Sequence, residues 1–127
     1  VEDLIIAANY LKENYKAPEL IIGHSLGGAA AIFAVSKIPE ITAIATIGVP
    51  SSLNHVTHLL EDELEKIKSL GMASVNIGGR PFNIKNQFLE DLENKNLKTI
   101  VAQLKLPMLI LHSQEDAIVE IKNEKKL

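Results

Sequence analysis

The sequence has 127 residues, with 13 Lys plus Arg against 16 Asp plus Glu and a formal net charge of −3. Hydrophobic residues make up 46% and charged residues 23%, which supplies a folded core and excludes a disordered or collagen-like chain. The slight acidity and the 4% of aromatic residues argue against nucleic-acid binding, which needs basic and base-stacking surfaces. The absence of cysteine excludes disulfides and thiolate chemistry and agrees with a reducing cytoplasm, the location we expect.

The apolar runs are too short for a membrane span. The longest of them, residues 41–49, contains Thr42 and Thr46 and falls far short of the roughly 20 residues that a span needs. The N-terminal Val-Glu-Asp-Leu has neither an initiator Met nor the basic region of a signal peptide. We therefore expect no membrane contact and a chain that starts inside a longer protein.

The first half of the chain alternates between helix and strand patterns. Apolar residues at helical spacing predict an amphipathic helix over 2–15, which ends at Ala17-Pro18. Residues 20–22 form a continuous apolar run, the pattern of a strand that is buried on both faces. Small residues over 25–37 predict a helix that packs closely on its neighbours. The β-branched run over 41–49 predicts a second buried strand.

The middle of the chain predicts a helix and a less regular segment. Residues 55–70 place apolar side chains on one helix face, and Gly71 is the residue expected to end this helix. Residues 73–77 predict a short extended piece, followed by a turn over 78–81 and a helix over 84–92.

The last part of the chain predicts one more strand between two helices. A short helix over 97–104 precedes a third continuous apolar run at 108–111, and a charged helix is expected over the final residues. This alternation of helices and strands predicts an α/β layered fold with a parallel sheet. Three strands make a thin sheet, so we expect it to be incomplete at both edges.

The most informative motif lies between the first predicted strand and the next helix. Residues 23–28 read Gly-His-Ser-Leu-Gly-Gly, a G-x-S-x-G pattern in a strand-turn-helix context. Here Ser25 would sit on a strained turn, where Gly23 and Gly27 avoid collisions. The helix would direct its free N–H groups at a developing oxyanion, with the Leu26 N–H as one donor. The alternative is a glycine-rich turn in which Ser25 only caps the helix.

A carboxylate follows the third predicted strand. Residues 107–119 read Pro-Met-Leu-Ile-Leu-His-Ser-Gln-Glu-Asp-Ala-Ile-Val, which places Asp116 just past the strand end. A carboxylate there can reach a histidine ring, fix its tautomer and stabilise the imidazolium that forms during acyl transfer. The alternative is that Asp116 only caps the last helix. Ser25 and Asp116 are the candidate catalytic residues.

Both motifs resemble those of the α/β-hydrolase superfamily, in which a nucleophile elbow precedes an acid on a later strand. The resemblance implies a partial α/β-hydrolase fold, three-layer α/β/α with a mainly parallel sheet, over a single domain 1–127 with an inserted cap-like segment over 54–96. It implies that Ser25 hydrolyses an ester or related acyl bond of a small molecule, without a metal or organic cofactor. The elbow positions around the nucleophile would be Gly23, His24, Gly27 and Gly28.

A narrower resemblance concerns the middle of the chain. Residues 78–84, Gly-Gly-Arg-Pro-Phe-Asn-Ile, with residues 87–92 and the pair His55-Val56, are similar to the hydrolase half of two-domain proteins that carry an OsmC-like domain. This resemblance implies an OsmC-like partner domain after the hydrolase domain.

The sequence departs from the superfamily at the catalytic base. The superfamily's histidine lies on a loop beyond the acid, and residues 117–127 contain no histidine. The early strands and the second oxyanion donor would precede Val1, so we expect this chain alone to be inactive. His24 and His112 are poor substitutes, because a base must hydrogen-bond the nucleophile.

Several polar positions are candidates for a substrate pocket, because α/β sheets bind ligands at the carboxyl ends of their strands. His55 begins the helix after the second strand, but with His58 it lacks the H-E-x-x-H order of a metal site, so we expect no metal. That helix acts as a lid or packs on the sheet, and we favour packing. The pocket candidates are Pro50, Ser51, His55 and Arg80.

A second hypothesis belongs to another functional class. The chain would be a non-catalytic, hydrolase-like module that binds a ligand or docks a neighbouring domain, and it would keep the elbow for its packing alone.

Overall fold

The chain folds into two units, one of residues 1–51 with 97–127 and one of residues 52–96. The computed structural model describes residues 1–51, 60–77, 79–93, 96–116 and 119. No helix in these ranges is both long and apolar enough to cross a membrane. The helices and strands are, in chain order, α1 (Glu2–Asn14), β1 (Leu20–His24), α2 (Leu26–Val35), β2 (Ala43–Ile47), a 3-10 turn (Glu61–Glu63), α3 (Leu64–Leu70), β3 (Met72–Ile77), β4 (Arg80–Lys85), α4 (Asn86–Glu93), α5 (Leu97–Gln103) and β5 (Met108–Leu111).

The first unit is built on a parallel sheet in the order β1-β2-β5. In the register, Ile47 at the end of β2 lies opposite His24 on one side and Leu111 on the other. All three strands therefore end at the same edge of the sheet, and the residues that follow them lie close together. This confirms the predicted α/β class with a mainly parallel sheet flanked by helices.

Helices α1, α2 and α5 of this unit pack together over the sheet. Helix α2 contacts both neighbours and lies against β1 and β2. Because side chains alternate along a strand, Ile21 and Gly23 face the helices while Leu20 and Ile22 face the other way. The buried cluster on the helix side consists of Ala8, Ala34, Val35, Ile38 and Ile41.

The opposite face of the sheet is apolar and exposed. Leu20 is 54%, Ile22 63% and Leu109 56% exposed. The prediction that β1 is buried on both faces is therefore wrong for the described part of the chain, because its helices cover the sheet from one side. A continuous apolar run is typical of a parallel strand that is covered on both faces, but the pattern does not show which element would cover the second face.

We expect the 127-residue chain, expressed alone, to associate through this exposed face. Replacing Ile22 and Leu109 by Lys should shift the chain toward monomer in sedimentation velocity at several concentrations, because charge on the face opposes its burial. Lysines at the exposed positions Asn9 and Gln103 add the same charge on the helices and should leave association unchanged. A wild-type chain that stays monomeric at all concentrations would contradict this expectation.

The second unit contains a two-stranded antiparallel sheet beside short helices. Strand β3 pairs with β4 so that Ile77 lies opposite Arg80. Gly71 ends α3 with a φ of +79°, as the sequence predicts, but Leu70 is exposed rather than part of the buried face. The start of the predicted helix, residues 52–59, lies outside the described residues. The buried cluster of this unit consists of Leu60, Ile67, Val75 and Leu89.

The prediction for the segment after β3 needs correction. Residues 80–85 form a strand, and the helix begins at Asn86, whereas a turn over 78–81 and a helix over 84–92 were expected. Most residues of β4 are exposed, and Pro81 near its start is a residue type that argues against a strand interior. The signal that was missed is the two-residue Gly-Gly spacer, which is typical of a hairpin loop.

Candidate active site

The Gly-His-Ser-Leu-Gly motif lies at the junction of β1 and α2, where Ser25 has a φ of +51° and a ψ of −125°. Among the described residues it is the one non-glycine residue with a positive φ. Such a backbone costs about 1–3 kcal/mol and persists only where the surroundings hold it. The Ser25 N–H donates to the Ile47 carbonyl at 2.8 Å, and the Ser25 carbonyl accepts from the Gly28 N–H at 3.0 Å. The strand ladder and the helix therefore hold the turn from both sides.

The side chain of Ser25 does not cap the helix. Helix α2 starts at Leu26 with no hydrogen bond from a capping side chain, and the Ser25 backbone carbonyl closes the first turn instead. The structure therefore gives no support to the alternative in which Ser25 is present only to cap α2.

The glycines around Ser25 let α2 cross β1 at very close range. A Cβ at Gly23 would lie 2.4 Å from the Gly28 Cα and 2.6 Å from the Gly27 carbonyl oxygen. A Cβ at Gly28 would lie 3.0 Å from both the Gly23 oxygen and the Val49 Cγ2. A Cβ at Gly27 would meet no described atom within 4 Å, so the expected collision there is wrong. The close contact joins Gly23 to Gly28.

Gly23→Ala should destabilise the protein by about 1–3 kcal/mol or more, because the new methyl group meets rigid backbone. Gly27→Ala is the matched control, and it should be neutral or stabilising by up to about 1 kcal/mol, since alanine favours the helix. Urea unfolding of the two variants compares them directly. Equal stabilities would contradict the close contact at Gly23.

Ser25→Gly should be more stable than Ser25→Ala by about 1 kcal/mol, because glycine adopts this backbone without strain and alanine does not. Both variants lack the hydroxyl, so the comparison isolates the backbone. Identical midpoints in urea unfolding would show that no strain is stored at this residue.

The first turn of α2 lies beside the nucleophile position. The N–H groups of Gly28 and Ala29 donate to the Ser25 carbonyl, at 3.0 and 3.3 Å. The Leu26 N–H precedes this first turn, at the positive end of the helix dipole, where helix geometry provides no intrahelical acceptor. This is the position expected of an oxyanion donor, which is the role predicted for Leu26.

The candidate acid, Asp116, lies on the loop after β5. Its Oδ1 accepts the Val119 N–H at 2.9 Å. Its Oδ2 lies 3.0 Å from the position that a Cβ at Gly48 would occupy. The bond to Val119 has the spacing of a helix cap, but the helix predicted to follow lies outside the described residues. The second oxygen points instead to the end of β2.

Ser25 and Asp116 converge on the end of the central strand. Ser25 is bonded to the Ile47 carbonyl, and the Asp116 carboxylate lies against Gly48, the next residue of the chain. The Gly48 N–H in turn donates to the Leu111 carbonyl at 2.8 Å, which extends the pairing of β2 with β5. The two predicted catalytic residues thus share one edge of one sheet.

Sequence reasoning missed the part that Gly48 plays. It has a φ of +56°, and any side chain there would meet the Asp116 carboxylate. In the sequence, Gly48 lies near the end of the run 41–49 and marks only the end of the predicted strand. The available signal was a glycine at a strand end beside the predicted site, which indicates either a positive φ or a close approach.

His112 is buried beneath the acid loop. Its Nε2 donates to the Val119 carbonyl at 2.5 Å and lies 3.8 Å from the Asp116 Oδ2. The ring is packed, and its side chain has no exposed surface. With this hydrogen bond it does not act as the base for Ser25.

The remaining predicted site residues belong to different elements of the chain. His24 is exposed at the end of β1, and Pro50 and Ser51 are buried after β2. Arg80 is exposed at the start of β4 in the second unit, and His55 lies outside the described residues. Within the described ranges, no three His, Cys, Asp or Glu side chains lie together as a metal site would need.

The chain is similar to the crystal structure of the esterase domain from a Rhodothermus marinus protein. The two chains are 47% identical and superpose with a TM-score of 0.84. The match covers 98% of this chain and 51% of that one, so this chain spans about half the length of its neighbour. No family model matches the chain, and no curated protein matches it. The fold is consistent with part of an α/β-hydrolase.

Proposed function

We propose that this chain is the nucleophile-bearing part of a serine hydrolase of the α/β-hydrolase type that cleaves carboxylic esters or related acyl bonds. The observation that carries the proposal is the convergence of a strained Ser25 and the Asp116 carboxylate at the end of β2. Strained serine turns of this kind place the hydroxyl above the sheet edge. The similarity to a structure described as an esterase domain supports the same reaction class.

In the proposed reaction the Ser25 Oγ attacks the acyl carbon while a histidine base takes its proton. The carbonyl oxygen becomes an oxyanion, which the Leu26 N–H stabilises at the start of α2. The histidine then protonates the leaving alcohol, and the C–O bond to that alcohol breaks. Water hydrolyses the resulting acyl-enzyme by the same steps, and Asp116 orients the ring and stabilises its charged form.

We infer that the base and a second oxyanion donor come from polypeptide outside residues 1–127. The buried His112 ring donates to Val119, and residues 117–127 contain no histidine. Strands β1 and β5 are two strand spacings apart, about 10 Å, which a serine, a histidine ring and a carboxylate in sequence can span. A neighbour twice the length of this chain leaves room for these parts.

We propose a small-molecule ester or acyl substrate and no organic cofactor or metal, in a cytoplasmic protein. Pro50, Ser51, His55 and Arg80 are the proposed pocket residues, and 54–96 is the proposed cap-like insertion. We also propose, from the sequence resemblance, that an OsmC-like domain follows the hydrolase domain.

The full-length protein should react with a fluorophosphonate probe at Ser25, because the probe needs an activated serine and no knowledge of the substrate. Labelling should vanish in Ser25→Ala and fall by about 100-fold or more in Asp116→Asn, which keeps the shape of the acid but not its charge.

Circular dichroism of each variant serves as the control for folding. A folded full-length protein that shows no Ser25-dependent labelling would instead favour the second hypothesis, a non-catalytic binding or domain-docking module.

A further inference from the structure

We propose that His112 is a positioning residue that orients the Asp116 carboxylate through Val119. This inference rests on the proposed function and extends it from the acid to the group that holds the acid. His112 directly follows β5 and Asp116 comes four residues later, so the turn between them brings the ring beneath the carboxylate.

The link begins at the ring. The His112 side chain is fully buried, and its Nε2 lies 2.5 Å from the Val119 carbonyl oxygen. A carbonyl only accepts hydrogen bonds, so Nε2 is the donor of this bond. Among the described residues the buried Nδ1 has no hydrogen-bond partner. Within that part of the chain, the polar contact of this ring therefore depends on Nε2.

The link continues through Val119, which is itself buried. Its carbonyl is held by the ring, and its N–H donates to the Asp116 Oδ1 at 2.9 Å. Both polar groups of one residue are thus used, one toward His112 and one toward the acid. A Val119 that lost its ring contact would lose this partner for its buried carbonyl, which destabilises the arrangement.

The consequence is a defined direction for the second carboxylate oxygen. With Oδ1 held by Val119, Oδ2 points to Gly48 at the end of β2. This is the side on which Ser25 is bonded to the strand. The 3.8 Å between Nε2 and Oδ2 is too long for a hydrogen bond, so the hydrogen-bonded connection from the ring to the acid runs through Val119. His112 thereby selects the rotamer in which Asp116 presents one oxygen to a catalytic base.

The test compares two substitutions at His112 in the full-length protein. His112→Leu removes the donor and keeps an apolar filling, whereas His112→Gln places an amide N–H near the position of Nε2. We expect His112→Leu to lower kcat on a p-nitrophenyl ester by about 10- to 100-fold, the range typical of partners that orient a reacting group, with KM nearly unchanged. His112→Gln should recover most of that loss.

A double-mutant cycle with Asp116→Asn separates positioning from simple loss of structure. If His112 acts through the acid, His112→Leu should cause little further loss in the Asp116→Asn background. Two losses that multiply would overturn the proposal, because the ring would then contribute independently of Asp116. Failure of His112→Gln to recover activity while it is folded would also overturn it.

Amide exchange at Val119 supplies a readout that does not depend on activity. Hydrogen exchange at this N–H should be faster in His112→Leu by about tenfold and close to wild type in His112→Gln, because the ring holds the residue that makes the bond. Unchanged exchange in the Leu variant would overturn the link even in an inactive protein. If the wild-type protein shows no Ser25-dependent activity while the two His112 variants still differ in Val119 exchange, the proposed function alone is refuted.

Discussion

The close contact between Gly23 on β1 and Gly28 on α2 is the constraint on which the site depends. Because two glycines meet there, α2 approaches β1 closely enough for the chain to pass from strand to helix in one sharp turn at Ser25. That turn forces Ser25 into a backbone conformation that side-chain-bearing residues rarely adopt. The strain is held by the strand ladder through Ile47 and by the first turn of α2 through Gly28.

The end of β2 organises the other half of the site. Ile47 accepts the Ser25 N–H, and Gly48 makes room for the Asp116 carboxylate, so consecutive residues of one strand bring the two candidates together. Beneath the acid, the Val119 N–H donates to one carboxylate oxygen, and the buried His112 ring donates to the Val119 carbonyl. Each functional side chain is thus supported by backbone groups of a neighbouring element, which keeps its geometry rigid.

The sequence predicted the alternating elements well where the pattern was long or strongly apolar. The helix over 2–15, the strand at 108–111 and the serine turn between β1 and α2 follow from periodicity, β-branched residues and glycine placement. Strand β4 was not predicted because Pro81 lies near its start and its residues are mostly exposed. The prediction of a collision at Gly27 was wrong because a Cβ there would point into open space. The position of Gly27 around the helix axis sets that direction.

Local sequence by itself determined which residues carry reactive groups and which turns are possible, because backbone strain and strand-end placement are properties of short segments. Only the tertiary structure decided that Asp116 lies against Gly48 and that one face of the sheet is exposed. The physical reason is that these features depend on strand order and register. Hydrogen bonds between segments far apart in the chain set both, and no local pattern encodes them.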